Sequence, residues 1–289
     1  MRKLLFLFMV LVFFSCQKKK GDHLPRLITP KIYKATAINS KIMLRSDPQF
    51  LNANFTGDTA MASRYSEREI GIRNFPWDTV LPRYDLKVII DTTYHLFVKG
   101  YVYERMPFPF RIPWDTRPFD GKAAAPLIKA YFEREKFQKQ KYISSYPVLI
   151  FNPSQQTAYV SEGNFMHFQM IQEALDSDGK WKPIDFQWSD DGGGCIPINL
   201  HYKLLPRHYI GASVIKYSGD FKTKIRVKMK SGNDVYYSNE ITGHINHSQF
   251  NQDFIGSYLE NRTRPDAEYF EFHKARMFLN NLPQKCNKP

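Results

Sequence analysis

Short runs of alternating apolar and polar residues dominate residues 146–250 of the chain. Turn-forming sequences separate the runs, among them Asp178-Gly179 and Ser231-Gly232-Asn233. Alternation with a period of two is typical of strands that bury one face, and turns at intervals of roughly ten residues favour antiparallel pairing. We therefore predict that residues 146–250 form an antiparallel β-sandwich domain.

The segments on either side of this domain have different patterns. Residues 31–145 contain runs rich in Val, Ile, Thr and Tyr, but also four prolines between Met106 and Phe119. Because proline interrupts central strands, we predict a basic, β-rich N-terminal region of mixed structure. After Phe250, apolar residues recur at helical spacing, which predicts short helices and a C-terminal tail over residues 251–289. The predicted fold class is mainly β, and we expect an immunoglobulin-like topology for the sandwich.

The first residues of the chain form another distinct pattern. Arg2 and Lys3 precede eleven consecutive apolar residues that end at Phe14, and Ser15-Cys16 follow. A spanning helix needs about 20 apolar residues, so the run is too short to cross a membrane. Its length and its charged start are those of an export signal.

This N-terminus resembles the precursor of a bacterial lipoprotein, in which a signal peptide is removed before a cysteine that is then acylated. The resemblance implies a signal peptide at residues 1–15, a lipidated tether at residues 16–30 and lipid, such as palmitate, on Cys16. It also implies attachment to the cell envelope, most naturally to the outer membrane. The residues just after Cys16 are basic, which favours the periplasmic leaflet over the cell surface. Phe13 replaces the small aliphatic residue usual at its position, so an ordinary secretory signal is the alternative.

The formal net charge of +13 is unevenly distributed along the chain. Residues 16–145 hold 23 Lys and Arg against 13 Asp and Glu, whereas residues 146–289 hold 16 against 15. The basic excess therefore lies in the first half of the mature chain. In an exported protein, such a charge suits anionic glycans, lipid headgroups or envelope proteins, and nucleic acid is not an expected partner.

The most regular alternation lies between Phe221 and Lys230. One side of this predicted strand is largely apolar, and the other side carries five cations: Lys222, Lys224, Arg226, Lys228 and Lys230. Side chains on one face of a strand are roughly 6.5 to 7 Å apart, so these charges repel unless anions lie nearby. The flanking segments offer Asp220, Asp234 and Glu240. The face is therefore either solvated, protecting a sheet edge, or an anion-binding face for envelope glycans.

A repeated sequence supplies a second candidate site. The string Pro-Trp-Asp-Thr occurs twice, with Trp77 and Asp78 in the first copy and Trp114 and Asp115 in the second. Aspartate commonly bonds backbone groups in turns, so two similar turns explain the repeat. The alternative is a ligand clamp built from both Trp-Asp pairs.

Two cysteines remain if Cys16 is acylated. Cys195 and Cys286 are a candidate disulfide in an oxidising compartment, although two free buried thiols fit equally well. The common sequence motifs of serine hydrolases, zinc proteases and nucleotide-binding proteins are absent, and no cofactor or metal site is predicted.

The sequence thus favours a lipid-anchored envelope protein that binds or scaffolds glycans, lipids or protein partners without catalysis. One alternative is an envelope hydrolase with paired carboxylates from a short set of candidates: Asp78, Asp115, Asp190 and Asp191. Another alternative is an accessory subunit of an envelope assembly.

Overall fold

The structure is a computed structural model. It describes residues 26–28, 35–46, 49–50, 54–56, 72–74, 80–94, 96–99, 142–161, 168–187, 200–253 and 267–281. The strands are β1 (Arg26–Ile28), β2 (Leu44–Arg45), β3 (Gln49–Phe50), β4 (Asn54–Thr56), β5 (Ile72–Asn74), β6 (Lys87–Ile90), β7 (Leu96–Lys99), β8 (Tyr142–Phe151), β9 (Ala158–Ser161), β10 (Met170–Leu175), β11 (Trp181–Pro183), β12 (Asp185–Phe186), β13 (Leu200–Leu204), β14 (Tyr209–Ile215), β15 (Phe221–Ser231), β16 (Asp234–Tyr237) and β17 (Ile241–Ile245). A 3-10 helix spans His247–Phe250, and helix α1 spans Ala267–Met277.

Two five-stranded antiparallel sheets form most of the body. In the first sheet the order is β3-β14-β8-β6, and β7 pairs with the other half of the same edge of β8. In the second sheet the order is β11-β10-β15-β16, and β17 pairs with the first half of β15. The long strands β8 and β15 thus each hold together three neighbouring strands.

One hydrophobic core draws side chains from both sheets. Val148 and Ile150 of β8 pack in the same cluster as Ile225, Val227 and Met229 of β15. All five side chains are buried, and each contributes about 1.5 to 3 kcal/mol relative to exposure. The mainly β fold predicted from the alternating pattern is confirmed, with two curled antiparallel sheets around a shared core. The immunoglobulin-like topology stays a prediction.

The two sheets are joined at one edge by β6. Val88 of β6 forms a parallel bridge with Ser238, which follows β16. Next to it, the Asn239 side chain accepts a hydrogen bond from Ile90 N at 2.7 Å and donates one to Ile90 O at 3.1 Å. The asparagine amide therefore takes the place of a strand partner, and the edge of the first sheet continues into the second.

Strands from before and after residue 145 share the same sheets. β6 and β7 pair with β8, β5 pairs with β13, and β2 pairs in parallel with β12. The boundary predicted between residues 145 and 146 falls within β8. In the described residues no helix is long and apolar enough to cross a membrane.

The turn between β14 and β15 brings two backbone segments very close together. Gly219 lies against the backbone carbonyl of Ile245 and the amide nitrogen of Asn246. A β-carbon at residue 219 would overlap these backbone atoms, which cannot rotate away as a side chain does. Glycine is therefore required here by the close approach of β17 to the start of β15.

We expect Gly219→Ala to lower the free energy of unfolding by about 3 kcal/mol, because the backbone must shift to admit the methyl group. Gly179→Ala is the matched control, since residue 179 has a positive φ of 73° but open space around it. We expect the control to cost about 1 kcal/mol. Urea unfolding measures both changes, and an equal loss in the two variants would contradict the close-approach argument.

Candidate functional site

The cationic face is the side of β15 that carries Lys222, Lys224, Arg226, Lys228 and Lys230. Residues opposite each other in antiparallel strands share a face, and the register therefore gives the neighbours of each cation. His244 lies opposite Lys222, and Thr242 lies opposite Lys224. Farther along the face, the residues opposite the cations are Glu173 for Arg226, Ile171 and Tyr237 for Lys228, and Val235 for Lys230.

The first half of the cationic face is open to solvent. Lys222, Lys224, Thr242 and His244 are all exposed. The Nζ atom of Lys224 lies 2.8 Å from Oε2 of Glu240, and both side chains of this pair are about half exposed. This half of the face is therefore accessible to an anionic partner.

Arg226 occupies the middle of the face and is held on three sides. Its Nε and Nη2 atoms donate hydrogen bonds of 2.9 and 2.7 Å to Oε2 of Glu173. Its guanidinium carbon lies 4.2 Å from the ring centroid of Trp181 and 4.0 Å from that of Tyr237. Trp181 and Tyr237 come from strands on opposite sides of β15. The guanidinium group is therefore fixed between two aromatic rings by one buried carboxylate.

The second half of the cationic face is covered by the end of helix α1. Lys228 is only 6 % exposed, and its Nζ donates hydrogen bonds to Phe278 O at 2.9 Å and to Asn280 Oδ1 at 2.6 Å. The Nζ atom of Lys230 donates to Asn280 O at 3.0 Å. Lys228 Nζ also lies 3.6 Å from Oε1 of Glu173. These two lysines thus bind oxygens of the protein itself.

Helix α1 ends in a Schellman motif that presents these oxygens. Asn280 N bonds to Ala275 O, and Leu279 N bonds to Arg276 O. Leu279 has a φ of 52°, a conformation that glycine usually adopts at this position. Its side chain is buried in a small apolar cluster that covers the second sheet on the side away from the main core. This apolar contact explains why leucine is found where the backbone favours glycine.

The anions that balance the cationic face were only partly predictable. Glu240, one of the three acidic residues in the flanking segments, pairs with Lys224. Glu173 lies outside those flanking segments, although it pairs with both Arg226 and Lys228. A charged residue in the otherwise mostly apolar segment Met170–Leu175 was the available signal, because a buried charge requires a partner. Burial lowers the pKa of Lys228. Burial also lowers the pKa of Lys230, and the nearby positive charges of Lys228 and Arg276 lower it further.

A buried polar network around Asp185 and Gln172 lies on the core-facing side of the second sheet. Oδ1 of Asp185 accepts a 2.6 Å hydrogen bond from Gln172 N, and Oδ2 accepts one of 3.1 Å from Gln172 Nε2. Oδ2 also accepts a 3.4 Å hydrogen bond from Tyr217, while Gln172 Nε2 donates to Ile215 O. Gln172 and Asp185 belong to strands associated with the second sheet, whereas Ile215 ends β14 of the first. The network therefore links the two sheets.

The other predicted site residues lie outside the described residues. They are Cys16, Trp77, Asp78, Trp114, Asp115, Asp190, Asp191, Cys195 and Cys286. The lipidation site, the ligand clamp, the paired carboxylates and the disulfide therefore stay predictions. Among the residues that the structure does describe, no three His, Cys, Asp or Glu side chains group as metal ligands do.

Comparisons with known proteins give no further constraint on function. No protein-family model, no curated protein and no solved structure matches the chain.

We expect Glu173→Gln to lower the free energy of unfolding by about 3 kcal/mol, because Arg226 and buried Lys228 lose their shared counter-charge. The matched control is Glu240→Gln, which removes the exposed partner of Lys224 and should cost about 0.5 kcal/mol or less. Denaturant unfolding of both variants checks the difference. Similar small losses would show that the buried carboxylate is dispensable.

Asp185 should make stability depend on pH. Burial, and to a smaller extent the nearby Glu173 carboxylate, raises the pKa of Asp185 from 3.8 to about 7 in the folded protein, against the opposing hydrogen bonds. The folded state therefore holds this proton more tightly than the unfolded state does. The resulting stability is fully present below about pH 4 and is lost as the pH rises to about 7.

In Asp185→Asn this contribution should vanish, because the amide does not titrate. We expect the free energy of unfolding of the wild type, relative to this variant, to fall by up to about 4 kcal/mol between pH 4 and pH 7. Urea unfolding at a series of pH values measures the difference. Parallel pH profiles for the two proteins would contradict the assignment.

Proposed function

We propose that this protein is a lipid-anchored component of the cell envelope and that its β-rich body binds or scaffolds envelope material without catalysis. The N-terminal pattern that ends at Cys16 supports the anchor. The observation that carries the binding role is the open half of the cationic face, where exposed Lys222 and Lys224 stand on a sheet whose other side is buried in the main core. The basic residues just after Cys16 favour the periplasmic leaflet, most naturally of the outer membrane.

Anionic glycans are the partners that fit this surface best. Lys222 has no described carboxylate within ion-pair distance, and the Lys224–Glu240 pair is exposed enough for a competing anion to replace Glu240. Both lysines project from one rigid strand at a fixed spacing. Repeated carboxylate or phosphate groups along a glycan chain match such a row of charges better than a single small anion does.

The anchor is tested by the mass of the mature N-terminus. We expect a peptide beginning at Cys16 that carries diacylglycerol and an acyl chain. We also expect Cys16→Ala to leave the precursor unprocessed and without this lipid. An unmodified Cys16 in the mature wild-type protein would contradict the proposal.

The binding role is tested by charge reversal on the open half alone. Lys222→Glu with Lys224→Glu should weaken binding to purified envelope glycans severalfold, and the difference should shrink at high salt. The control is Arg83→Glu with Lys87→Glu, which changes the net charge equally at exposed positions outside this face. A sedimentation assay measures both variants. Equal losses would indicate a response to total charge and would contradict a local binding surface.

A further inference from the structure

Arg226 has binding capacity that the fold does not use. Its hydrogen bonds within the described part of the chain come from Nε and Nη2, and both reach the same oxygen of Glu173. The Nη1 amino group has no acceptor among the described residues. Because a guanidinium group carries five N–H donors in a planar fork, it can bind a second acidic group in its own plane.

The arginine slot consists of Arg226 with Trp181 and Tyr237 as its two walls. Each ring centroid lies within 4.2 Å of the guanidinium carbon, so the rings leave only the edges of the guanidinium plane accessible. Tyr237 is 48 % exposed, and the Arg226 side chain is 19 % exposed. The slot therefore opens to solvent beside a large exposed aromatic surface.

The charges around the slot favour an anion. Lys228 is buried beside Glu173, and Lys222 and Lys224 extend along the same strand toward solvent. Together with Arg226 they give four cations against the two carboxylates of Glu173 and Glu240. An incoming anion gains from this excess, and the walls reduce its exposure to water, which strengthens the interaction.

We propose that the arginine slot binds the carboxylate of an acidic saccharide, with a pyranose ring packed against Tyr237. This assignment rests on the proposed envelope-binding function and specifies its ligand. The carboxylate receives charge-assisted hydrogen bonds from Arg226, and the C–H groups of the sugar contact the exposed aromatic ring. A neutral sugar lacks the first interaction, and inorganic phosphate lacks the second.

The test uses the full-length protein in detergent and three probes: trigalacturonate, its fully methyl-esterified form and inorganic phosphate. We expect calorimetry to show at least about tenfold tighter binding of the acid than of the ester, because the ester cannot form the charged hydrogen bonds. No binding of trigalacturonate would overturn the proposal. Phosphate binding as tight as that of trigalacturonate would also overturn it, since the sugar ring would then contribute nothing.

Variants separate the slot from other surfaces. We expect Arg226→Lys and Tyr237→Ala each to weaken binding of trigalacturonate by about tenfold, whereas Tyr237→Phe keeps the ring and retains binding. Leu205→Ala is the control, because Leu205 is also exposed but lies outside this face. Equal weakening in the control, or full binding by Tyr237→Ala, would overturn the assignment.

Failure of the slot assignment can be distinguished from failure of the proposed envelope anchor. Loss of trigalacturonate binding with lipid present on Cys16 would reject the slot alone. Binding at the slot in a protein whose Cys16 is unmodified would reject the anchor and leave the slot standing.

Discussion

The ion pairs of the Glu173 carboxylate hold together the side of the second sheet that faces away from the main core. Its two oxygens serve different cations, with Oε2 bonded to Arg226 and Oε1 nearest to Lys228. Arg226 in turn positions the Trp181 and Tyr237 rings, and Lys228 holds the end of helix α1. One buried charge thus fixes the middle of the cationic face, where the arginine slot lies, and the second half, where the end of helix α1 docks.

Apolar and polar contacts both hold the end of helix α1 on the second sheet, and they have different effects. The apolar cluster around Ile171, Phe186 and Met277 favours burial but specifies position only loosely. The hydrogen bonds from Lys228 and Lys230 are directional, and they bind the end of the helix at defined oxygens. Gln187 N adds a hydrogen bond to Met277 O. Cations at this end also suit the helix dipole.

The parts of the fold that could be predicted from sequence are those with local causes. Alternation in Phe221–Lys230 identified β15 and the side that each residue occupies, because the period of a strand is a property of neighbouring residues. The pairing of Glu173 with Arg226 could not be derived this way. The pairing depends on the register between two strands, and the paired residues are 53 positions apart in sequence. The local pattern does not contain that register. The burial of Lys228 could not be derived from the local pattern either, since it depends on where a later helix docks.

The amide of Asn239 bears on how the molecule behaves among its neighbours. β6 lies at the edge of the first sheet, and such an edge normally offers unpaired backbone groups to any strand that approaches. Asn239 satisfies both backbone groups of Ile90, and Ser238 bridges Val88. A second copy adding a strand here would have to break bonds that already exist. A single side chain thereby blocks one route by which crowded β-rich proteins aggregate.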